Sequence, residues 1–212
     1  MRYRDARATL ETALRGPLPG IEAQQQLAPA PPRAWPRGFT PTQLRHAAGL
    51  LLLYPLDEVA HIVLTLRADT LGRHGGQVSL PGGVVEPGET VEQAALREAH
   101  EEIALRTEVV QPLGPLTAVD IHVSGFRLHP IVGVADERPA LHPADGEVAR
   151  LIEIPIAELT DPRAFGWQTI RRDDQLWRVP TLVAQGAHIW GATAMVVAEF
   201  LTLLGWPGRR QT

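Results

Sequence analysis

Apolar residues along the chain switch between helical and strand periods, and the switches mark out the elements. Ala6, Leu10, Ala13 and Leu14 recur at three- and four-residue spacing, which predicts an amphipathic helix over Tyr3–Leu18. Pro17, Pro19, Pro29, Pro31, Pro32, Pro36 and Pro41 then exclude an uninterrupted helix, so this stretch reads as a connector or an arm laid over the domain. Ala47–Tyr54 is an apolar run of strand length. In Ala60–Arg67, Ala60, Ile62, Leu64 and Leu66 alternate with His61, Thr65 and Arg67, and Val63 is the exception, so a half-buried strand is expected. A glycine-rich loop leads into a helix over Val91–Leu105.

Further strands are expected at Val109–Leu116, Phe126–Ala135 and Ala149–Ile156, with a small hairpin from Thr169–Ile170 and Leu176–Val179. Ile189–Trp206 is mostly apolar and just long enough to raise the question of a membrane span. It contains Glu199 and a repeating face of Trp190, Ala194, Val197, Leu201 and Leu204, which predicts a helix over Ile189–Leu204 buried against a core. Strands around a central helix, with another helix at the end, argue for an α/β class with a mixed sheet between helices, an α/β/α sandwich. The expected division is an N-terminal helix and proline-rich arm over 1–44, one folded domain over 45–206 and a tail over 207–212.

Composition narrows the chemistry. The 212 residues suffice for one well-filled domain. Twenty basic residues against 24 acidic ones give a net charge of −4, which argues against a nucleic-acid binder and leaves room for a small anion held through a metal and a few arginines. Without cysteine there are no disulfides, thiolate nucleophiles or cysteine-ligated zinc. Met1–Arg15 lacks the apolar core of a secretory signal, so a cytoplasmic location is expected, with no membrane partner.

The densest signal is the stretch Gly83–Leu105. Thr90 and Gln93 form a capping box that starts its helix. At 100° per residue, Val91, Ala95, Leu96, Ala99 and Ile103 make one apolar face, while Glu98, Glu101 and Glu102 share an adjoining arc of about 100°. Glu102 lies nearest the apolar border and is expected to be the most buried of the three. Like charges at this spacing destabilise an isolated helix, and a divalent cation relieves that repulsion. Spacing alone also fits a solvated acidic cluster.

These residues resemble the Nudix box. Gly83, Glu89, Arg97, Glu98, Glu101, Glu102 and Leu105 fall in its register, Ala99 takes an aliphatic position, and Ala104 stands where the family has glycine. The resemblance implies the Nudix fold and hydrolysis of a diphosphate linked to another group. It makes Glu98, Glu101 and Glu102 the catalytic and metal positions, with the Gly82 carbonyl as a further ligand to Mg²⁺ or Mn²⁺. It makes Glu89 and Arg97 organisers of the site. The alanine at 104 touches no ligand but bears on the backbone just past the helix, where glycine adopts conformations that alanine resists.

The segment before the box is similar to one subgroup, the coenzyme A diphosphatases. Leu64, Thr65, Arg67, Leu71, His74, Gly76, Gln77, Val78, Pro81, Gly82 and Gly83 keep its spacing. Gly72 replaces an arginine, for which Arg73 can compensate, and Leu80 replaces a phenylalanine. Looser matches follow at Ser124–Phe126 with Pro130, Val132 and Gly133, at Glu147–Val148, and at Trp190–Ala194. The implied substrate is coenzyme A, split into 4′-phosphopantetheine and 3′,5′-ADP. Arg67, Arg73, His74 and Glu147 are the candidates for binding it, the two arginines for its 3′-phosphate. Two other readings stand beside this one: hydrolysis of another nucleoside diphosphate derivative such as ADP-ribose, and a catalytically silent binding module. A homodimer is left open.

Overall fold

The computed structural model describes residues 1–30, 35, 39–68, 75–144, 146–172 and 175–208. The chain opens with helices α1 (Tyr3–Ala13) and α2 (Gly20–Gln25), followed by a long strand β1 (Arg45–Leu56) and its hairpin partner β2 (Val59–Arg67). Two short strands, β3 (Val78–Ser79) and β4 (Gly82–Val84), lead into helix α3 (Val91–Ile103). Then come β5 (Gln111–Pro115), β6 (Val119–Ile121), β7 (Phe126–Val134), β8 (Val148–Pro155) and a one-turn helix α4 (Ile156–Leu159). A meander of β9 (Phe165–Arg172), β10 (Gln175–Ala184) and β11 (Ala187–Trp190) precedes the closing helix α5 (Gly191–Leu203).

Strands β1 to β8 form one mixed sheet, and β9 to β11 form a small antiparallel one. β1 lies parallel to β7 from Arg45 to Leu53. Its other edge is divided. Leu53–Leu56 pair with β2, whereas Ala47–Gly49 pair with β4. β2 and β1 therefore part company, and β3, paired to Thr65 and Leu66, together with β4 bridges the gap. The metal-type carboxylates sit above this bridge.

The sheet separates two cores by residue parity. Ala48, Leu50, Leu52, Tyr54 and Val63 pack with Ala95, Ala99 and Ile103 of α3. Leu51, Leu53, Ile62 and Leu64 pack on the other side with Tyr3, Ala6 and Leu10 of α1 and with Val197, Phe200 and Leu201 of α5. The expectation of a half-buried strand over Ala60–Arg67 is thus corrected: β2 is covered on both faces from Ala60 to Thr65, and Val63 breaks the alternation because it belongs to the α3 core. Burying a Leu or Ile side chain fully stabilises by about 1.5–3 kcal/mol, so both faces contribute to holding the bridge in place.

Other boundaries move for local reasons. The first helix stops at Ala13 rather than Leu18, four residues ahead of Pro17, and the proline-rich stretch contains α2. Thr107–Val109 is a 3₁₀ turn, so the strand expected from Val109 begins at Gln111. Ile189 and Trp190 end β11, and the last helix starts at Gly191, whose φ of 65° turns the chain. Among the described residues no helix is long and apolar enough to cross a membrane.

Glu199 of α5 is fully buried and ties distant segments together. Its carboxylate accepts from Gly20 N–H (3.1 Å), the Gln24 side-chain amide (2.8 Å), Thr117 N–H (3.3 Å) and the Thr117 hydroxyl (2.7 Å). At the opposite end of the N-terminal segment, Tyr3 N–H donates to Glu58 C=O (2.8 Å) and Ala60 N–H donates to Met1 C=O (3.1 Å).

Candidate active site

Each residue of the bridge is fixed by its own contact. Thr65 Oγ1 meets Ser79 Oγ at 2.9 Å, Leu80 is buried against Gly49, and Leu50 N–H donates to Pro81 C=O at 2.8 Å. Gly82 lies on the backbone of β1 so closely that a Cβ would fall 2.2 Å from Ala48 O. A Cβ on Gly83 would fall 2.4 Å from the Glu98 carboxylate. The two glycines are required for different reasons, one by a strand and the other by a catalytic-helix side chain.

Helix α3 begins with the expected capping box: Gln93 N–H donates to Thr90 Oγ1 (3.2 Å), and Thr90 N–H donates to the Gln93 side chain (2.9 Å). It ends on Ala104 at φ 54°, ψ 27°, the left-handed conformation. The alanine therefore adopts the geometry for which the resembling pattern has glycine. Between these ends the three glutamates grade in exposure as their wheel positions require: the side chains are 6% exposed at Glu102, 17% at Glu98 and 52% at Glu101.

Arg97 organises one half of the site. Its Nε and Nη2 grip Glu89 at 2.9 and 3.1 Å, and Nη2 also donates to Val84 C=O at 3.0 Å. Its Nη1 reaches Glu98 at 3.0 Å and Glu101 at 3.1 Å. Glu89 returns the loop by accepting Glu86 N–H at 3.0 Å, and Arg97 holds the Glu89 carboxyl below its ordinary range. Burial pushes the Glu98 carboxyl up, Arg97 pulls against that, and Glu101 adds to it. The Glu89 grip on Arg97 in turn raises the guanidinium's pKa, so its charge is permanent.

Glu102 belongs to the other half. Gly82 N–H donates to it at 3.1 Å, and Arg67, at the end of β2, approaches to 3.7 Å. The same guanidinium bonds Glu147 at 2.8 Å, where a bulge at Leu66/Arg67 brings the approach to β8 alongside β2. Arg67, Glu102, Glu147 and Gly82 are therefore together. Arg73 and His74 lie outside the described residues. Sequence reasoning missed Val84, which contributes only a carbonyl, and the close approach of Ala48–Gly49, for which a glycine inside an apolar strand was the available signal.

Two guanidinium groups thus hold five carboxylates, Glu89, Glu98 and Glu101 on Arg97 and Glu102 and Glu147 on Arg67. Among the described residues no group of three or more His, Asp or Glu side chains is gathered tightly enough to enclose a metal ion as it stands. Chemically, however, the donor set is all oxygen, which is the preference of Mg²⁺ and of Mn²⁺. An open groove of about 950 Å³ runs past Gln93, Leu96 and Arg106, and among its lining residues are Glu89 and Arg97 but none of Glu98, Glu101 and Glu102.

Known proteins share these features. A model of the NUDIX domain matches residues 44–172. A protein of Pectobacterium atrosepticum named "Uncharacterized Nudix hydrolase NudL" is 34% identical over 165 residues, 77% of this chain and 85% of that one. A protein of the same name in Photorhabdus laumondii is 35% identical over 177 residues, 83% and 90% of the two chains. The crystal structure of a MutT/nudix family protein from Enterococcus faecalis has a TM-score of 0.50 at 15% identity, covering 82% of this chain and 65% of that one, a likeness of fold alone. The chain belongs to the Nudix hydrolases and acts on a nucleoside diphosphate derivative.

Proposed function

We propose that this hydrolase cleaves the diphosphate of coenzyme A to 4′-phosphopantetheine and 3′,5′-ADP. The observation that carries the reading is the segment ahead of the box, Leu64 to Gly83, whose residue pattern resembles that of the coenzyme A diphosphatases apart from Gly72 and Leu80, and whose described parts include the end of β2, β3 and the Gly82 that contacts Glu102. Nudix enzymes generally use divalent metal ions. Glu98, Glu101, Glu102 and the Gly82 carbonyl are the groups that would hold Mg²⁺ or Mn²⁺ here, and such an ion supplies positive charge against the diphosphate and its leaving oxygen.

The protein's own groups do the rest. Gly82 N–H orients Glu102, and the Glu89 grip on Arg97 fixes the guanidinium beside Glu98 and Glu101. A water adds to one phosphorus as the bridging P–O bond breaks; one of the three carboxylates takes the water's proton, and the bridging oxygen leaves with the other phosphate. Arg67 stands among carboxylates of the site, which favours a grip on the diphosphate over the 3′-phosphate. Arg73, His74 and Glu147 complete the proposed substrate-binding set.

The test is a substrate panel with added Mg²⁺ or Mn²⁺: coenzyme A, an acyl-coenzyme A, dephospho-coenzyme A, ADP-ribose and a dinucleoside polyphosphate. The highest kcat/KM for coenzyme A or its thioester, with the two product masses, is expected, and a clear preference for ADP-ribose would overturn the assignment. On the same panel Arg67→Ala should cost coenzyme A and dephospho-coenzyme A alike, roughly ten- to hundredfold for one charge-assisted bond. A loss confined to coenzyme A would return Arg67 to the 3′-phosphate.

A further inference from the structure

The bridge from Val78 to Gly83 receives contacts from β1, β2 and α3, and also one from the far end of the chain. Thr193, in the first turn of α5, donates its hydroxyl to Val78 C=O at 3.0 Å, and both residues are buried. The ladder explains why that carbonyl needs it. Arg67 N–H bonds Gln77 C=O and Gly76 N–H bonds Arg67 C=O, each at 3.0 Å, so antiparallel alternation turns the Val78 carbonyl away from β2. Outside the ladder it meets no backbone donor among the described residues, and Thr193 supplies the proton.

We infer that Thr193 is a positioning residue for hydrolysis, acting through β3 on Gly82. Only Leu80 and Pro81 separate β3 from Gly82, whose N–H holds Glu102. β3 spans two residues, so on its outer side the Thr193 bond adds to the two ladder partners, the Thr65–Ser79 contact and the packing of Val78 in holding it in place. The Trp190–Ala194 motif then has a task. β11 ends at Trp190, Gly191 turns the chain at φ 65°, and the next turn delivers Thr193 to Val78. A drift of β3 would carry Gly82 with it, and so the carbonyl and N–H that Gly82 presents beside Glu102, and misplacement of about 1 Å can cost on the order of a hundredfold in rate. The inference rests on Nudix hydrolysis and not on which diphosphate is cleaved.

Thr193→Val keeps the shape and removes the donor, while Thr193→Ser keeps the donor. Both are to be assayed in the full chain on the wild type's best substrate, alongside Thr202→Val, which removes a hydroxyl bonded only within α5, to Ala198 C=O at 2.8 Å. Expected for T193V is a fall in kcat of roughly ten- to hundredfold, with KM nearly unchanged and the half-saturating Mg²⁺ or Mn²⁺ concentration raised. T193S and T202V should stay within about threefold of wild type, less than the effect of one hydrogen bond. Should T193V not fold, Thr193→Ala against T193S isolates the hydroxyl, because both lose the methyl group. Wild-type kcat and metal dependence in T193V, or in T193A where T193V does not fold, would overturn the inference, as would equal impairment of T193S and the hydroxyl-free variant; a fall in Tm alone would assign Thr193 to stability.

Discussion

Replacing Ala104 by glycine should make this protein more stable, the reverse of what glycine does inside a helix. Ala104 closes α3 at φ 54°, ψ 27°. An L-residue in that region carries about 1–2 kcal/mol of steric strain between its Cβ and backbone oxygen, which glycine lacks. Against this, glycine gives the unfolded chain more freedom, worth about 0.4–1 kcal/mol. The difference leaves the variant more stable by roughly 0.5–1 kcal/mol, and for a chain of this size 1 kcal/mol moves Tm by about 2–4 °C. The backbone bonds that end the helix, such as Leu105 N–H to Ala99 C=O at 3.4 Å, do not involve the side chain and should survive. Scanning calorimetry and urea unfolding of Ala104→Gly against wild type make the measurement. An unchanged or lowered Tm, with an unchanged urea m-value, would show that the alanine sits there without strain and refute the reasoning.

Glu199→Leu should lose roughly 3–5 kcal/mol, because it removes the acceptor of Gly20 N–H, Thr117 N–H and the Thr117 hydroxyl and one of the two acceptors of the Gln24 amide, which keeps Thr117 C=O; urea unfolding gives the value, and wild-type stability would show that the knot contributes nothing. Limited proteolysis of that variant should cut first within residues 14–30, whose anchor it removes. The Arg138 bond holds the Glu153 carboxyl below its ordinary value, with burial opposing and the Tyr54 hydroxyl assisting. A depressed folded-state pKa contributes stability above the unfolded value near 4.3, lost as pH falls through the folded one. Tm should therefore drop below about pH 4, and Arg138→Ala should show a smaller drop over that window; equal drops would remove Glu153 from the account.

The site's local half was legible. A capping box and a helical wheel need only neighbours in sequence, and the start of α3 and the burial of Glu102 followed from them, while Glu89 and Arg97 came as organisers from the resemblance to the Nudix box, and the structure pairs them. The half that depends on sheet topology was not. Nothing in Arg45–Leu56 announces that one strand edge serves two partners, and Val63 looked like an irregularity until α3 was placed over it. Long-range polar bonds were equally silent. Glu199 read as a charge too costly for a membrane, and its donors stand 82 to 179 residues away. The last helix was begun two residues early because apolar Ile189 and Trp190 suit a buried strand as well as a buried helix.

The closure at the foot of the pre-box segment makes that segment a replaceable cassette. Arg67 bonds Gly76 and Gln77 through its own backbone, so the chain leaves and re-enters the sheet through a single gate. Lengthening what lies beyond the gate costs little closure entropy, about 0.6 kcal/mol per doubling, and transmits no displacement to the carboxylates. Between Val78 and Gly83 no such freedom exists, since an inserted residue would break one contact with each of β1, β2, α3 and α5. On the proposed substrate-binding role of Arg73 and His74, a homologous segment grafted between Arg67 and Gly76 should change substrate preference, whereas a one-residue insertion after Ser79 should abolish turnover with any substrate.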